Sequence, residues 1–332
     1  MSAPLSGGVR YTSEKKGHVE SYFFKANDRE GARAVWLKTT IFSPKDHATG
    51  TIAETWAIAF DREHGHVAAK QSVPFSSARF AADELRSHVA DLEFSSDRIA
   101  GRVTTGAHVI KCDLRVQARG TGMAPLPYDW MYTAPFPSSK FASPIWDADI
   151  TGTLVVDGTP WDLSGWRGML GHNWGKRHSP EYAWAHANVW TDMDGRPMDL
   201  VFEGVSARVA VGPLRTPRLS LMAVRFSGVD YLFHSPEALL LSPSDVSTRR
   251  WSFRASSPFA TVFGEFRAET RDMVGLHYEN PAAPVTYCLN SKLATGELTL
   301  TRRGRASVMF RTNAAALEIG THESDHGVEM VL

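Results

Sequence analysis

Two short runs carry the residue types that could do chemistry. The first is Gly168-Met169-Leu170-Gly171-His172-Asn173-Trp174-Gly175, and the second is Trp184-Ala185-His186-Ala187-Asn188-Val189-Trp190. Side chains alternate along a strand, so Trp184, His186, Asn188 and Trp190 would share one face of the second run. His172 and Trp174 would point together if Gly171–Trp174 is extended. Two rings with an imidazole and a carboxamide between them suit neither a solvated face nor a plain core, because buried polar groups need partners. The runs read either as a polar network pinning two strands together or as a pocket with a proton donor or acceptor and aromatic walls. Such a pocket has a use. A ring stabilises a developing carbocation through its quadrupole. A His or carboxyl group in an apolar cavity has a shifted pKa and can act as an acid. Excluded water protects the cation from early capture. Together these suit protonation of an alkene, followed by cyclisation or hydration.

Other chemistry is tested by its own spacing. The chain has no G-x-x-x-x-G-K-[ST], no G-x-G-x-x-G after a strand and no G-x-S-x-G, which removes the P-loop, the dinucleotide fingerprint and the nucleophile elbow. His322-Glu323-Ser324-Asp325-His326 matches H-E-x-x-H. That chemistry needs both His on one face of a buried helix. Here the match is polar, close to the last residue and preceded by a strand-like run, so it reads as chance and no metal is expected. Cys112 and Cys288 are the only cysteines, which excludes a disulfide framework and a Cys-rich zinc site. His64-Gly65-His66 reads as a solvated hairpin tip. Glu54 with Trp56, and Lys38 with Trp36, each share a strand face. These charges, with Lys70 and Gln71, read more readily as surface groups than as pocket groups. Arg225 could pair structurally with Glu203, and Arg249-Arg250 reads as a solvated turn.

The elements that must hold these residues are strands. Ile110, Cys112, Leu114 and Val116 alternate with Lys111, Asp113, Arg115 and Gln117, giving one dry face and one wet face. Trp56, Ile58 and Phe60 alternate with Ala57 and Ala59, and Ala34–Phe42 is a further β-rich run. Asp157-Gly158 and Asp194-Gly195 separate such runs as hairpin turns do. Only Ser77–Val89 and Pro236–Leu241 could hold short helices. The chain has 332 residues, enough for two units of many short antiparallel strands, barrels or sandwiches. Gly120 to Pro144 stands apart, because Pro125, Pro127, Pro135, Pro137 and Pro144 are interleaved with Tyr128, Trp130, Tyr132, Phe136 and Phe141. It reads as a surface crossover or as a lid over a ligand mouth. With 36 Lys+Arg against 36 Asp+Glu the chain carries no net charge, which argues against a nucleic-acid partner. Met1 to His18 lacks an apolar signal core and no apolar run could span a bilayer, so a cytoplasmic protein is expected, with peripheral membrane contact left open.

The Gly-His-Asn-Trp-Gly block followed by the Trp-x-His-x-Asn strand resembles the signature of the carotenoid 1,2-hydratase and tocopherol cyclase group, to which the lipocalin-like Diels–Alderases of fungal polyketide pathways are related. The runs Glu20–Asn27, Ala34–Thr39 and Glu54-Thr55-Trp56 are also similar to bacterial members. The resemblance implies an all-β fold of two tandem lipocalin-like antiparallel β-barrel or sandwich units. The first would span 1–205 with the Pro- and aromatic-rich loop 120–148, and the second 206–332. It implies action on an apolar isoprenoid- or polyketide-like substrate by hydration or ring closure, with no cofactor. Carried over, the functional residues are His172, Trp174 and Glu203. A Glu stands where the hydratases carry an Asp, and Phe202 has no hydroxyl. The expected substrate-binding set is Asn173, Trp184, His186, Asn188, Trp190, Trp56, Glu54, Tyr128 and Trp130. Two other readings fit the same residues. One is a non-catalytic lipid or isoprenoid carrier; the other is a His-Asn-Trp block that only ties two units together.

Overall fold

The computed structural model describes residues 3–13, 17–46, 50–208, 210–211 and 214–332. Almost all of it is antiparallel β-structure in two large sheets, arranged in tandem along the chain. At the centre of the first, His18–Asn27 lies between Arg33–Ser43 and Trp166–Gly175, and Ser139–Val156 follows on the far side of Trp166–Gly175. At the centre of the second, Glu181–Ala187 lies between Leu200–Arg208 and Val308–Thr321, with the long Ala283–Arg302 strand beyond. Each sheet curls around its own apolar core. Phe24, Leu37, Leu114, Leu154 and Leu170 fill the first. Phe202, Trp251, Phe266, Phe310 and Leu317 fill the second. A bond from the Thr104 amide to Gln71 Oε1 helps to draw the two limbs of the first sheet together.

Local sequence explains much of this. Asp157 and Gly158 both have positive φ, +48° and +89°, as a two-residue turn matched to strand twist requires. The Pro236–Leu241 helix starts at Ser235, whose side chain accepts a hydrogen bond from the Ala238 amide. Three expectations are corrected. Ser77–Val89 is not helical but contains the strands Arg79–Phe80 and Arg86–Val89, joined as a hairpin. The 120–148 segment is a loop only as far as Ser139, where an 18-residue strand begins. The chain changes sheet between Gly175 and Glu181, well before residue 205, so the Trp184 strand belongs to the second unit. Alternation identifies a strand but does not say which sheet it joins.

The two sheets meet through the faces that each turns away from its own core. Phe23 and Met169 of the first meet Trp184 and Ala316 of the second, with Gly171 beneath the Phe23 ring. Gly171 is required there, because a Cβ on it would stand 2.1 Å from the Phe23 ring. Behind these rings the junction is polar. Lys25 Nζ donates to Asn27 Oδ1 at 3.0 Å and to Asn188 Oδ1 at 3.1 Å. Asn188 Nδ2 donates to Asp147 Oδ1 at 2.8 Å and to the Gly168 carbonyl at 2.9 Å. Asp147 also pairs with Arg167, and Lys292 with Glu318 at 2.7 Å. Burial, and repulsion from Lys292, push the Lys25 ammonium down to about 7. Asn188 is thus the joint between a lysine and an aspartate on different strands. Replacing it by Leu should lower stability by about 3 kcal/mol, because the buried polar groups it serves lose their partner. Urea unfolding measures this, and an unchanged midpoint would contradict the assignment.

Candidate functional site

The same junction forms a partly open cavity of about 240 Å³ whose walls are mostly apolar. Phe23, Trp36 and Asn173 come from the first sheet. Tyr182, Trp184, Val205 and Leu221 come from the second. Leu126, Met131, Phe136 and Phe141 of the Pro-rich segment line a further side, with Leu239 of the short helix. The Leu126 amide donates to Tyr132 Oη at 2.8 Å within the segment, the Tyr132 ring packs against Trp174 of the first sheet, and the His234 ring of the second unit donates to the Pro125 carbonyl at 3.0 Å. The segment thus runs along the cavity, and both readings of it, crossover and lid, place it there.

His172 does not border the cavity. It points into the first barrel, fully buried between the Tyr22 ring at 4.4 Å and the Trp174 ring at 4.6 Å. Its Nε2–H donates to Glu20 Oε1 at 2.8 Å, while Nδ1 is buried without a hydrogen-bond partner. Glu20 also accepts from His18 Nε2 at 2.9 Å and from the Arg10 and Tyr11 amides, both at 2.8 Å. Burial favours the neutral Glu20 carboxyl, but the hydrogen bonds and positive field of His172 and His18 outweigh it and bring its pKa down to about 2. Burial lowers the pKa of His172 too, against the pull of Glu20. The pair is an anchor that ties the segment before His18 to the barrel. Trp174 caps it, packed against Tyr132 and Leu126 with the Arg10 guanidinium 5.4 Å from its ring.

Glu203 lies one step behind the cavity wall. Its carboxyl accepts from Ser143 Oγ at 2.9 and 2.8 Å and from Trp184 Nε1 at 3.1 Å. Burial pushes its pKa up to about 7, against these hydrogen bonds. Arg225 pairs with Asp230 at 2.6 Å, not with Glu203. Of the expected substrate-binding residues, Asn173 and Trp184 line the cavity. His186 and Asn188 lie deeper in the junction, where His186 Nε2–H donates to the Trp146 carbonyl at 2.9 Å. Trp190 is elsewhere. The strand ends at Ala187, alternation is lost, and Trp190 turns into the second core against Phe266 and Phe310. Trp56 is buried behind Trp36, and Glu54 is held by Lys70 at 2.8 Å. Tyr128 and Trp130, 48% and 58% exposed, stack on the outer surface of the Pro-rich segment.

The residues that sequence reading underrated are Lys38, His178, Tyr182, Tyr278 and Glu318, all on the cavity wall. The signal for Lys38 was present: a lone charge on the Trp36 face of an otherwise uncharged stretch of strand. Among the described residues no group of three His, Cys, Asp or Glu could hold a metal ion. Within the H-E-x-x-H match, His322 Nδ1–H donates to the Val285 carbonyl at 3.0 Å and His326 Nδ1 accepts from the Val328 amide at 3.2 Å. No helix is long and apolar enough to cross a membrane.

No protein-family model matches the chain, and no curated protein matches its sequence. Solved structures do match in fold. A candidate ATTH from Nitrosomonas europaea superposes with a TM-score of 0.54 at 13% identity, covering 94% of this chain and 98% of that one. CghA gives 0.57 at 13% identity, covering 92% and 88%. CghA with Sch210972 gives 0.52 at 12% identity, covering 92% and 89%. The fold is all-β and lipocalin-like, with two curled antiparallel units.

Two outcomes follow from the buried carboxylates. Glu20 has a depressed pKa, so its contribution to stability is present above the ordinary carboxyl range and is lost as pH falls from there towards 2. Glu20→Gln should cost about 3 kcal/mol at pH 7 and less at pH 3, measured by denaturant unfolding at both values. Glu203 has a raised pKa, so it favours the fold below the ordinary carboxyl range and loses that effect as pH rises through about 7. Glu203→Gln should therefore raise Tm relative to the native protein at pH 8 and change it little at pH 5. A smaller gain at pH 8 than at pH 5 would contradict the buried, reluctantly ionised carboxyl.

Proposed function

We propose that the chain binds an apolar isoprenoid- or polyketide-like molecule in the inter-sheet cavity and closes a ring in it. One observation carries the reading: an aromatic-walled hollow between the two sheets, partly covered by the Pro-rich segment, with the imidazole of His172 outside it. Hydration of an alkene needs an acid aimed at the double bond. His172 has its Nε2–H on Glu20 and a ring against each face, and Glu203 stands behind Trp184. Neither is aimed into the hollow. Ring closure asks for less. A flexible chain held coiled has already lost the entropy that opposes cyclisation. The apolar walls limit the water that reaches reactive intermediates. An intramolecular closure redistributes electrons within one molecule and needs no external oxidant. The likeness of fold to CghA, including CghA with Sch210972, supports a cavity of this kind. In this reading Trp184, Phe23 and Leu221 shape the substrate, Asn173 orients a polar group on it, and His172, Trp174 and Glu203 hold the wall.

The test is incubation with linear polyenes followed by chiral analysis of the cyclised products. The native protein should enrich one stereoisomer over the uncatalysed mixture. Val205→Phe, which fills the hollow, should lower turnover by about tenfold or more while Tm stays nearly constant. His172→Gln should lower Tm yet keep turnover per folded molecule. Tight binding without any product would identify a carrier instead. Loss of turnover in His172→Gln at unchanged Tm would return His172 to a catalytic role.

A further inference from the structure

One group on the cavity wall is not explained by an apolar lining. Lys38 stands mid-strand in Arg33–Ser43, is 3% exposed and borders the hollow. Its Nζ lies 4.0 Å from the Tyr278 ring centroid, 5.4 Å from that of Trp56 and 5.5 Å from that of Trp36. Among the described residues it has no hydrogen bond and no ion pair. The groups that face it are all engaged or neutral. Glu318 accepts from Lys292 at 2.7 Å and from the Cys288 thiol at 3.7 Å. Glu54 is held by Lys70. Burial keeps Cys288 as a thiol, with its pKa up at about 12, and keeps Tyr182 and Tyr278 as phenols. Burial and the Lys38 charge push His178, on the same wall, down to about 3, so it is neutral. Lys140 adds a second cation to the lining, and Glu318, already compensated, is its one carboxylate.

Rings that surround an ammonium ease its burial but do not replace an oxygen partner. The cavity in front of Lys38 has room for that oxygen. We propose that Lys38 is the head-group anchor of the ligand site, receiving a single oxyanion, carboxylate or enolate, at the end of an apolar body that lies along Trp184 and Leu221. The assignment rests on the cavity being the ligand site, and it narrows the ligand class to apolar acids. A lysine suits this role because its ammonium is a compact point charge. With one end of the molecule pinned, the rest of its chain is confined to the aromatic part of the hollow.

Calorimetric titration of the full-length protein tests this with four probes: decanoate, the enolate of 2-nonanoylcyclohexane-1,3-dione, methyl decanoate and decanol. At least one of the two anions should bind about tenfold or more tightly than the neutral probes, the size of a charge-assisted hydrogen bond. Whichever anion does so identifies the head group as carboxylate or enolate. Lys38→Met should erase the preference and keep the affinity for decanol, whereas Lys38→Arg should keep part of the preference. Equal affinity for anions and neutral probes in the native protein would overturn the anchor and leave the cavity reading standing, with water alone serving Lys38. Failure of every probe to bind would overturn both. If Lys38→Met does not fold, the anion-to-ester ratio of the native protein decides the matter by itself.

Discussion

Charges placed between two packed sheets need partners, and apart from Lys38 on the cavity wall the junction of this structure is arranged around that demand. Lys25, Asp147, Lys292 and Glu318 lie buried at the junction of the two units, with the half-buried Arg167 at its edge. An ion in that position without a counter-group is very costly. The network that answers this crosses between units: Lys25 to Asn188, Asn188 to Asp147, and Asn27 to the Lys292 carbonyl. Each bond sets the register of a strand in one sheet against a strand in the other. The docking of the two sheets, and with it the shape of the hollow between them, is therefore set by hydrogen-bond geometry as well as by apolar contact.

One strand divides the work of the site between its two faces. In Trp166–Gly175, His172 and Trp174 point into the first barrel and Asn173 points to the cavity. The inward pair holds the barrel end and the chain before His18 through Glu20. The outward side chain meets whatever occupies the hollow. A motif that looks like one catalytic block thus has two side chains packed in the barrel and one on the cavity wall, back to back. Trp184 joins the two systems, with its ring in the wall and its Nε1–H on Glu203 behind.

The sequence made the elements legible and their partners less so. The alternation of Ile110 to Gln117, the Asp157-Gly158 turn and the dominance of strands could all be read directly, because each depends on neighbours close in the chain. The assignment of Trp184–Ala187 to a sheet could not, because both candidate sheets accept the same pattern. Lys38 and Glu54 were misjudged for a related reason. A charged residue marks solvent when a strand has one open face, but these strands are covered on both sides, by a core and by the companion unit. Trp190 was misplaced because two irregular residues, Asn188 and Val189, break the alternation that a continuous strand would have kept.

Because the hollow lies on a seam, neither half of the chain owns it. Phe23 and Trp36 stand on one side, Tyr278 and Glu318 on the other, separated by most of the polypeptide. A chimera that exchanged one half for that of a distant relative could retain both cores and still lose the pocket. Apolar wall residues such as Val205 and Leu221 lie outside the buried polar network that docks the sheets. Novelty in ligand choice can then accumulate along the border while the two folded bodies stay as they are.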